Sequence, residues 1–303
     1  MSYKNFDQMI LQVYGLKSKR RVVVAGADEA HVIEAVFKAQ KEKIIDSVLV
    51  GNKKRILEII RSFEYNASDC EIVDCPDNVN PSQVGIDIIN AGGGDFLMKG
   101  RIETKELLKP VVDKKNKLYT GRLMTHYTLS RVPGCRKLVS LTDSVIQIYP
   151  DLTAKKDMIL NAVENLIRIG YERPKVAVIC PVEKVNPKII ETLDAEALVE
   201  MNQSGEIDNC DIVGPISYDL AMSKESAQIK GYDCPWSEEF DLLVLPNLIS
   251  ANVLGKSWAV TAGGCNAGML AGARIPITLV SRGAAPEEKF MSIALCALCA
   301  DMN

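Results

Sequence analysis

Short apolar segments alternate with amphipathic segments of about ten residues along almost the whole chain, a spacing typical of strands and helices. Examples of the apolar segments are RVVVA at 21–25, KVAVIC at 175–180 and DLLVL at 241–245. Such continuous apolar runs are typical of strands buried on both faces, as in parallel sheets covered by helices. The alternation therefore predicts an α/β fold of doubly wound sheets, in which ligands bind beyond the carboxyl ends of the strands.

Composition limits the number of domains and the class of partner. The chain has 303 residues and a formal net charge of -3, and 47% of its residues are hydrophobic. This length favours two domains over one. The chain has no basic block with interleaved aromatic residues, which argues against nucleic acid as a partner. No apolar run approaches the roughly 20 residues that span a bilayer, so we expect no membrane partner.

Cysteine and histidine usage narrows the chemistry further. The nine cysteines have irregular spacing and the first residues carry no secretion signal, so we expect reduced thiols and a cytoplasmic protein. Cys296 and Cys299 form a CxxC inside an apolar helix, where packing is the expected role. The only histidines are His31 and His126, which argues against a zinc site or a Ser-His-Asp triad.

The residues that follow the predicted strands are the first candidates for a site. Gly26 ends the first strand and Asp28 is the predicted cap of the next helix. One glycine instead of G-x-G-x-x-G is a weak dinucleotide fingerprint. A further helix is predicted to follow Asn252. The other strand-end residues are Lys99, Gly100, Asp143, Pro181, Gly214, Pro246, Asn247, Ser281 and Arg282.

The stretch 275–300 concentrates polar groups at one corner between a strand and a helix. The predicted strand at 277–280 ends at Ser281 and Arg282, and Pro286 suits the first position of the following helix. Glu287 and Glu288 then fall in the first turn. The N–H groups at such a helix start bind anions, and an arginine beside them can bind phosphate or carboxylate through two hydrogen bonds. The corner therefore indicates either chemistry on an anion or a capped surface turn.

Several short motifs, in their order and spacing, resemble the phosphate acetyl/butyryltransferase family, whose members make acyl phosphates from acyl-CoA. The resemblance spans nearly the whole chain and is strongest to the phosphate butyryltransferases. The motifs are Met98-Lys99-Gly100, Leu141-Thr142-Asp143 with Tyr149-Pro150, Asn186-Pro187-Lys188, Thr192-Leu193-Asp194-Ala195, Asp211-Ile212-Val213-Gly214-Pro215 and Ser281-Arg282-Gly283.

The resemblance implies a fold like that of isocitrate and isopropylmalate dehydrogenases, with two α/β domains and an interdomain cleft. We expect 1–138 plus 275–303 to form the first domain and 139–274 to form the second. The resemblance also implies a homodimer or a larger homo-oligomer. It implies no metal and no nicotinamide cofactor, because the CoA thioester and phosphate are themselves the substrates.

The implied reaction is acyl-CoA plus phosphate giving acyl phosphate plus CoA, with a short acyl group such as butyryl. By the same resemblance, Arg282 binds phosphate and offsets charge in the transition state, and Ser281 donates a hydrogen bond to the thioester or to the CoA sulfur. Either Glu287 or Glu288 acts as the base toward the CoA thiol. The family usually has Asp there, so the longer Glu side chain changes the geometry.

Six more residues are candidates for substrate binding, namely Lys99, Gly100, Thr104, Asp143, Asn252 and Lys256. Lys99 at a strand end suits a phosphate contact, and Thr104 and Asn252 can offer hydrogen-bond donors. Asp143 suits a residue that orients its neighbours better than it suits the base. His126 is open between a contact of the site and a histidine of the core.

Three departures from the family pattern leave alternatives open. Gln147 replaces an Asn, Ala251 replaces a Gly and Gly255 replaces an aromatic residue. They motivate one alternative, a non-catalytic or altered-specificity member that binds CoA or acyl phosphate. A third hypothesis is a decarboxylating dehydrogenase that uses NAD and a divalent metal, which requires a cluster of aspartates that the sequence does not show.

Overall fold

The structure, a computed structural model, describes residues 2–281 and 283–300. The chain divides into two compact units. The central unit comprises Met1–Gln8 and Leu123–Asn266, and the terminal unit comprises Met9–Arg122 and Ala267–Asn303. The boundaries expected from the sequence, after 138 and after 274, lie later in the chain. The observed boundary at Leu123 has a structural reason, because the strand at Thr125–Arg131 pairs with the strand at Val139–Thr142 inside the central unit.

The strands are short, and most of their residues are buried. In chain order they are β1 Arg20–Ala25, β2 Ile45–Gly51, β3 Glu71–Asp74, β4 Phe96–Lys99, β5 Thr125–Arg131, β6 Val139–Thr142, β7 Lys175–Ile179, β8 Asp211–Ile216, β9 Leu242–Val244, β10 Cys265–Ala271 and β11 Ile277–Thr278.

The α-helices follow the strands in the expected alternation. In chain order they are α1 Phe6–Tyr14, α2 Ala30–Lys41, α3 Lys53–Ser62, α4 Pro81–Asn90, α5 Thr104–Val112, α6 Leu152–Arg168, α7 Ile190–Gln203, α8 Tyr218–Met222, α9 Lys224–Ile229, α10 Leu248–Lys256 and α11 Pro286–Cys299.

The sheet of the terminal unit has the strand order β3-β2-β1-β4-β11-β10. Its pairs are parallel except β10 with β11. Val22, Val23 and Val24 are fully buried, as their apolar run predicted. The strand order reverses direction between β1 and β4, and ligands of doubly wound sheets bind outside the carboxyl ends at such a point.

The sheet of the central unit has the strand order β5-β6-β9-β7-β8. The pair β5 and β6 is antiparallel and the others are parallel. One face is covered by a cluster of buried apolar side chains that includes Leu141, Leu243, Phe240 and Trp258. Mixed α/β sheets therefore confirm the predicted fold class, while the expectation of parallel pairing throughout is wrong at two hairpins. Both connections are too short for the crossover that a parallel pair needs.

Two predictions about helix starts need correction. The N-cap of α2 is Glu29, not Asp28, because the Glu29 carboxylate accepts from His31 N–H and Val32 N–H at 3.0 Å each. The helix expected after Asn252 begins earlier, at Leu248, where Asn247 accepts from the Ser250 N–H at 3.0 Å. In both cases a neighbouring side chain with the same capping chemistry makes the bond.

A buried ion pair connects the middle strands of the central unit. The Lys137 ammonium donates to Asp241 Oδ1 at 2.6 Å, and the two side chains are 8% and 4% exposed. The same carboxylate accepts from Lys175 N–H at 2.8 Å at the start of β7. Asp241 therefore joins three segments, and its removal leaves a buried cation with a weaker set of partners.

We predict that Asp241→Ala lowers the free energy of unfolding by about 3–5 kcal/mol, because one partner of a buried pair is removed. Asp46→Ala is the matched control. Its pair with Lys19 at 3.2 Å is exposed at both side chains, 42% and 63%, so the loss should stay within about 1 kcal/mol. Urea unfolding followed by circular dichroism measures both. Equal losses in the two variants would contradict this account.

Candidate active site

The carboxyl ends of β1 and β4 approach each other through two glycines. Gly26 follows β1 with a φ of 76°, in the left-handed region. The Gly100 N–H donates to Ala25 O at 2.9 Å, and the Arg101 N–H donates to Gly26 O at 2.7 Å. A Cβ at Gly100 would lie 2.0 Å from Gly26 O. The backbone itself occupies that space, so only glycine fits after Lys99.

In the sequence, Lys99 precedes this contact and Thr104 follows it. Lys99 is the last residue of β4 and is 7% exposed. Lysine is almost never buried to this extent unless its ammonium is paired. Thr104 is the first residue of α5 and is half-buried. The start of α5 is fixed because Glu106 Oε2 accepts from the Glu103 N–H at 2.9 Å.

Ser281 belongs to the same edge of the terminal unit as Lys99. β11 pairs with β4 in parallel, with Thr278 opposite Met98. Parallel neighbours end at the same edge of a sheet, so the segments that leave the two strands start side by side. Ser281 is exposed. Arg282, the predicted phosphate ligand, lies outside the described residues.

The two predicted base candidates begin the helix that follows this corner. Pro286 is the first residue of α11, as predicted, and Glu287 and Glu288 occupy its first turn. Glu287 is exposed and Glu288 is half-buried. The structure therefore places Ser281, Glu287 and Glu288 in one short segment.

Lys289 is a buried residue that contacts the turn between β11 and α11. It is 3% exposed, and its ammonium donates to Ala284 O at 2.7 Å. The Ala284 N–H in turn donates to Ser281 O at 3.1 Å. Burial lowers the pKa of Lys289, while the charges of Glu29 and Glu288 oppose that shift. Lys289 therefore ties the backbone after Ser281 to α11.

Asp143 organises the loop after β6 in the central unit. It is 1% exposed, and its Oδ2 accepts from the His126 N–H at 2.6 Å. Its Oδ1 accepts from Val145 N–H and Ile146 N–H at 2.8 Å each. These bonds are all to backbone donors. Asp143 therefore holds the loop after β6 against the start of β5.

Asn252 joins the loop that Asp143 organises, and Lys256 lies one turn further along the same helix. The Asn252 amide donates to Ser144 O at 3.0 Å. Lys256 is exposed in the last turn of α10, four positions after Asn252 and so on the same helix face. The structure thus brings Asp143 and Asn252 together in the central unit, and Lys99, Gly100, Thr104 and Ser281 along one edge of the terminal unit.

The cysteine thiols are held in their neutral form over much of the chain. The nine cysteines form no disulfide. Burial raises the pKa of Cys70 to about 11 and the pKa values of Cys180, Cys210 and Cys296 to about 12. It also raises those of Cys75 and Cys135. Cys296 accepts a hydrogen bond from Thr278 Oγ1 at 3.1 Å, which agrees with a packing role for the CxxC.

Two kinds of feature are not found in residues 2–281 and 283–300. No group of three or more His, Cys, Asp or Glu side chains there could hold a metal ion. No helix in that part of the chain is both long and apolar enough to cross a membrane.

Comparison with known proteins decides the family. Residues 76–297 match the family described as Phosphate acetyl/butaryl transferase. The chain is also 38% identical over 300 residues to the phosphate butyryltransferase of Clostridium beijerinckii, and the match covers 99% of each protein. The chain belongs to this family. The resemblance seen in the sequence motifs is confirmed, as is the class of enzyme, a phosphate acyltransferase.

Solved structures show the same fold for this phosphate acetyl/butyryl transferase. A branched-chain phosphotransacylase from Enterococcus faecalis V583 superposes with a TM-score of 0.83 at 25% identity, over 93% of this chain and 100% of that one. A putative 4-hydroxythreonine-4-phosphate dehydrogenase from Salmonella typhimurium gives a TM-score of 0.60 at 12% identity, over 93% and 100%. The predicted dehydrogenase-like fold is confirmed. The second likeness extends to the fold alone and lends no support to the dehydrogenase hypothesis.

The three departures from the family pattern fit the structure of this transferase without strain. Ala251 lies inside α10, where helical backbone suits alanine as well as glycine. The Gln147 amide donates to Met124 O at 2.9 Å and so holds the loop after β6. A Cβ at Gly255 would meet Leu141 Cδ2 at 3.6 Å, an ordinary contact.

Sequence reasoning left two residues outside the predicted site. His126 is 4% exposed, and its Nδ1 lies 3.2 Å from both Thr128 Oγ1 and Ser144 Oγ, next to Asp143. Its position at the start of β5, opposite the LTD segment, was the available signal. Lys289 carried no signal, because a lysine in the first turns of a helix reads as a solvated side chain.

We predict that Gly100→Ala lowers the free energy of unfolding by at least about 3 kcal/mol, because the added methyl overlaps backbone that cannot move aside. Thermal denaturation of the purified variant measures the effect. A variant as stable as the parent would show that the two strand ends do not approach as described.

Gly255→Ala is the matched control for this prediction. The position is buried in the last turn of α10 and has room for a methyl. Alanine should therefore be tolerated, or stabilise the helix by up to about 1 kcal/mol.

Proposed function

We propose that the protein transfers a short-chain acyl group, butyryl or similar, between CoA and inorganic phosphate. The observation that carries the proposal is the similarity to a phosphate butyryltransferase over 99% of the chain. The arrangement of the terminal unit supports it, because Lys99 and Ser281 leave neighbouring parallel strands at one edge. A cation and a hydroxyl that leave the same edge of a sheet suit a reaction between phosphate and a thioester.

In the proposed reaction, phosphate displaces CoA from the acyl group. A phosphate oxygen attacks the thioester carbonyl, the carbon–sulfur bond breaks, and the sulfur leaves as the CoA thiolate, which then takes a proton. Lys99 and Arg282 hold the phosphate and offset the charge that develops, and Ser281 donates a hydrogen bond to the thioester side. Holding the reactants in line supplies much of the rate, so the reaction needs no covalent acyl-enzyme.

In the reverse direction, a carboxylate removes the proton of the CoA thiol, and we assign this role to Glu288. Glu288 is half-buried, whereas Glu287 is exposed. A carboxylate that is partly removed from water is a stronger base, because desolvation disfavours its charged form. The Glu288 carbonyl also accepts from Ser292 Oγ at 2.7 Å, and that hydroxyl accepts from Gly268 N–H at 2.9 Å. The backbone of Glu288 is therefore linked to β10 through Ser292. This link fixes the position from which the Glu288 side chain leaves the helix.

The remaining roles follow from the same proposal. Asp143 and Asn252 orient the loop after β6, Lys256 offers a cation to the CoA phosphates, and Gly100 and Thr104 shape the loop that carries Lys99. The enzyme works as a homodimer or larger homo-oligomer in the cytoplasm, and it needs neither a metal nor a nicotinamide. Activity that persists after dialysis against a chelator would support independence from a metal.

The first test measures release of the CoA thiol from acyl-CoAs of two to six carbons. We expect release that depends on phosphate or arsenate and is fastest for a short chain such as butyryl. Arg282→Ala should lower the rate at least a hundredfold and raise the KM for phosphate, while circular dichroism stays unchanged. An unchanged rate in this variant contradicts the assignment of Arg282. Tight CoA binding without any turnover would support a non-catalytic CoA-binding member instead.

The second test compares the two carboxylates of α11. Glu288→Gln should lower kcat for acyl-CoA synthesis by about 100-fold or more, a usual size for loss of a general base. It should also remove the acidic limb of the pH–rate profile. Glu287→Gln serves as the control and should retain most activity. The reverse order of effects would assign the base to Glu287.

A further inference from the structure

A cavity of about 390 Å³ opens at the carboxyl edge of the terminal unit, and none of the residues assigned to catalysis lines it. It is lined by residues that follow β1, β2, β3 and β4, among them Gly26, Asn52, Cys75 and Arg101. It thus includes the point where the strand order reverses between β1 and β4. Its volume lies within the range of sites for small organic ligands and cofactors.

One carboxylate and two guanidinium groups form the polar centre of this cavity. The Asp28 side chain is 14% exposed, and its Oδ2 lies 3.5 Å from Arg55 Nη1 and 3.8 Å from Arg101 Nη1. These distances exceed those of a hydrogen bond, so the contacts are electrostatic and leave guanidinium N–H donors available. Both arginine side chains are at least half exposed, toward the cavity or solvent, at 50% and 61%.

The other charged groups of the cavity are less available. Asp77 lies 3.8 Å from Arg55 and is 76% exposed at the rim. Glu106 is engaged by the Glu103 N–H at 2.9 Å. A side chain at Gly51 would stand 3.1 Å from Asp28 Oδ1, so the absence of a side chain there leaves that oxygen accessible.

This set of groups matches a ribose that carries a phosphate. A strand-end carboxylate accepts from ribose hydroxyls, and an arginine beside it receives a phosphate on the ribose. Guanidinium groups bind phosphate through paired hydrogen bonds. α3 and α4 also begin at the cavity, at Asn52 and Asn80, and helix starts favour anions. Inorganic phosphate alone would leave most of the volume unfilled and would meet Asp28 without a hydroxyl between them.

We propose that this cavity binds the ribose phosphate of a nucleotide, with Asp28 accepting from a free ribose hydroxyl and with Arg55 and Arg101 binding the phosphate. Two sources share this chemistry. One is the nucleotide end of CoA, and that source rests on the proposed function. The other is a separate nucleotide that binds whether or not CoA is present.

The test measures binding of adenosine 3′,5′-bisphosphate by calorimetry, which does not require turnover. Arg55→Gln and Arg101→Gln should each weaken binding about tenfold or more, the loss expected for a charge-assisted hydrogen bond. Arg61→Gln is the control, because Arg61 lies in the last turn of α3 and does not line the cavity. Equal binding by all four proteins, or no binding by the parent, overturns the proposal. Melting temperatures confirm that the variants are folded.

Kinetics with butyryl-CoA separate the two sources. If the cavity holds the nucleotide end of CoA, the bisphosphate competes with butyryl-CoA, and the two cavity variants raise its KM while kcat is unchanged. If it holds a separate nucleotide, the bisphosphate still binds at saturating CoA and the KM stays unchanged. Nucleotide binding without any turnover would fail the proposed function and leave the cavity assignment standing. Turnover without nucleotide binding would support the proposed function and overturn the cavity assignment.

Discussion

The close approach of two backbones at the ends of β1 and β4 is the constraint on which the terminal unit depends. Gly100 packs against the carbonyl of Gly26 with no room for a side chain. This contact fixes the point where β4 ends at Lys99 and where the chain continues through Arg101. One backbone contact therefore positions two cationic residues, Lys99 at the end of β4 and Arg101 at the lining of the cavity.

The central unit achieves the same kind of order by another route. Its loop after β6 is not held by a close glycine contact but by a buried carboxylate, since Asp143 accepts three backbone N–H groups. Buried charges are tolerated when hydrogen bonds replace their lost hydration. The result is a rigid loop whose Ser144 carbonyl is available to Asn252. In each unit, hydrogen bonds and backbone contacts hold the strand ends in place, and the strand ends position the polar side chains.

Local signals in the sequence predicted the fold class, the buried strands at 21–25, 175–180 and 241–245, and the start of α11 at Pro286. They failed at the antiparallel pairs, at the cap of α2 and at the burial of Lys289. The antiparallel pairs are set by short connections, and the choice of Glu29 over Asp28 as a cap is set by Arg55 and Arg101, which draw Asp28 toward the cavity. The buried contact of Lys289 with Ala284 depends on the packing of α11. The family motifs pointed to candidate residues, but which of them share a sheet edge follows from strand order.

The raised pKa values of six cysteines carry a consequence for a protein that handles activated acyl groups. Thioesters pass readily to other thiols, but only a thiolate attacks them. Burial raises the pKa values of Cys180 and Cys210 to about 12, which disfavours the thiolate form that acyl exchange requires. These side chains therefore add bulk to the interior without diverting acyl groups onto the protein.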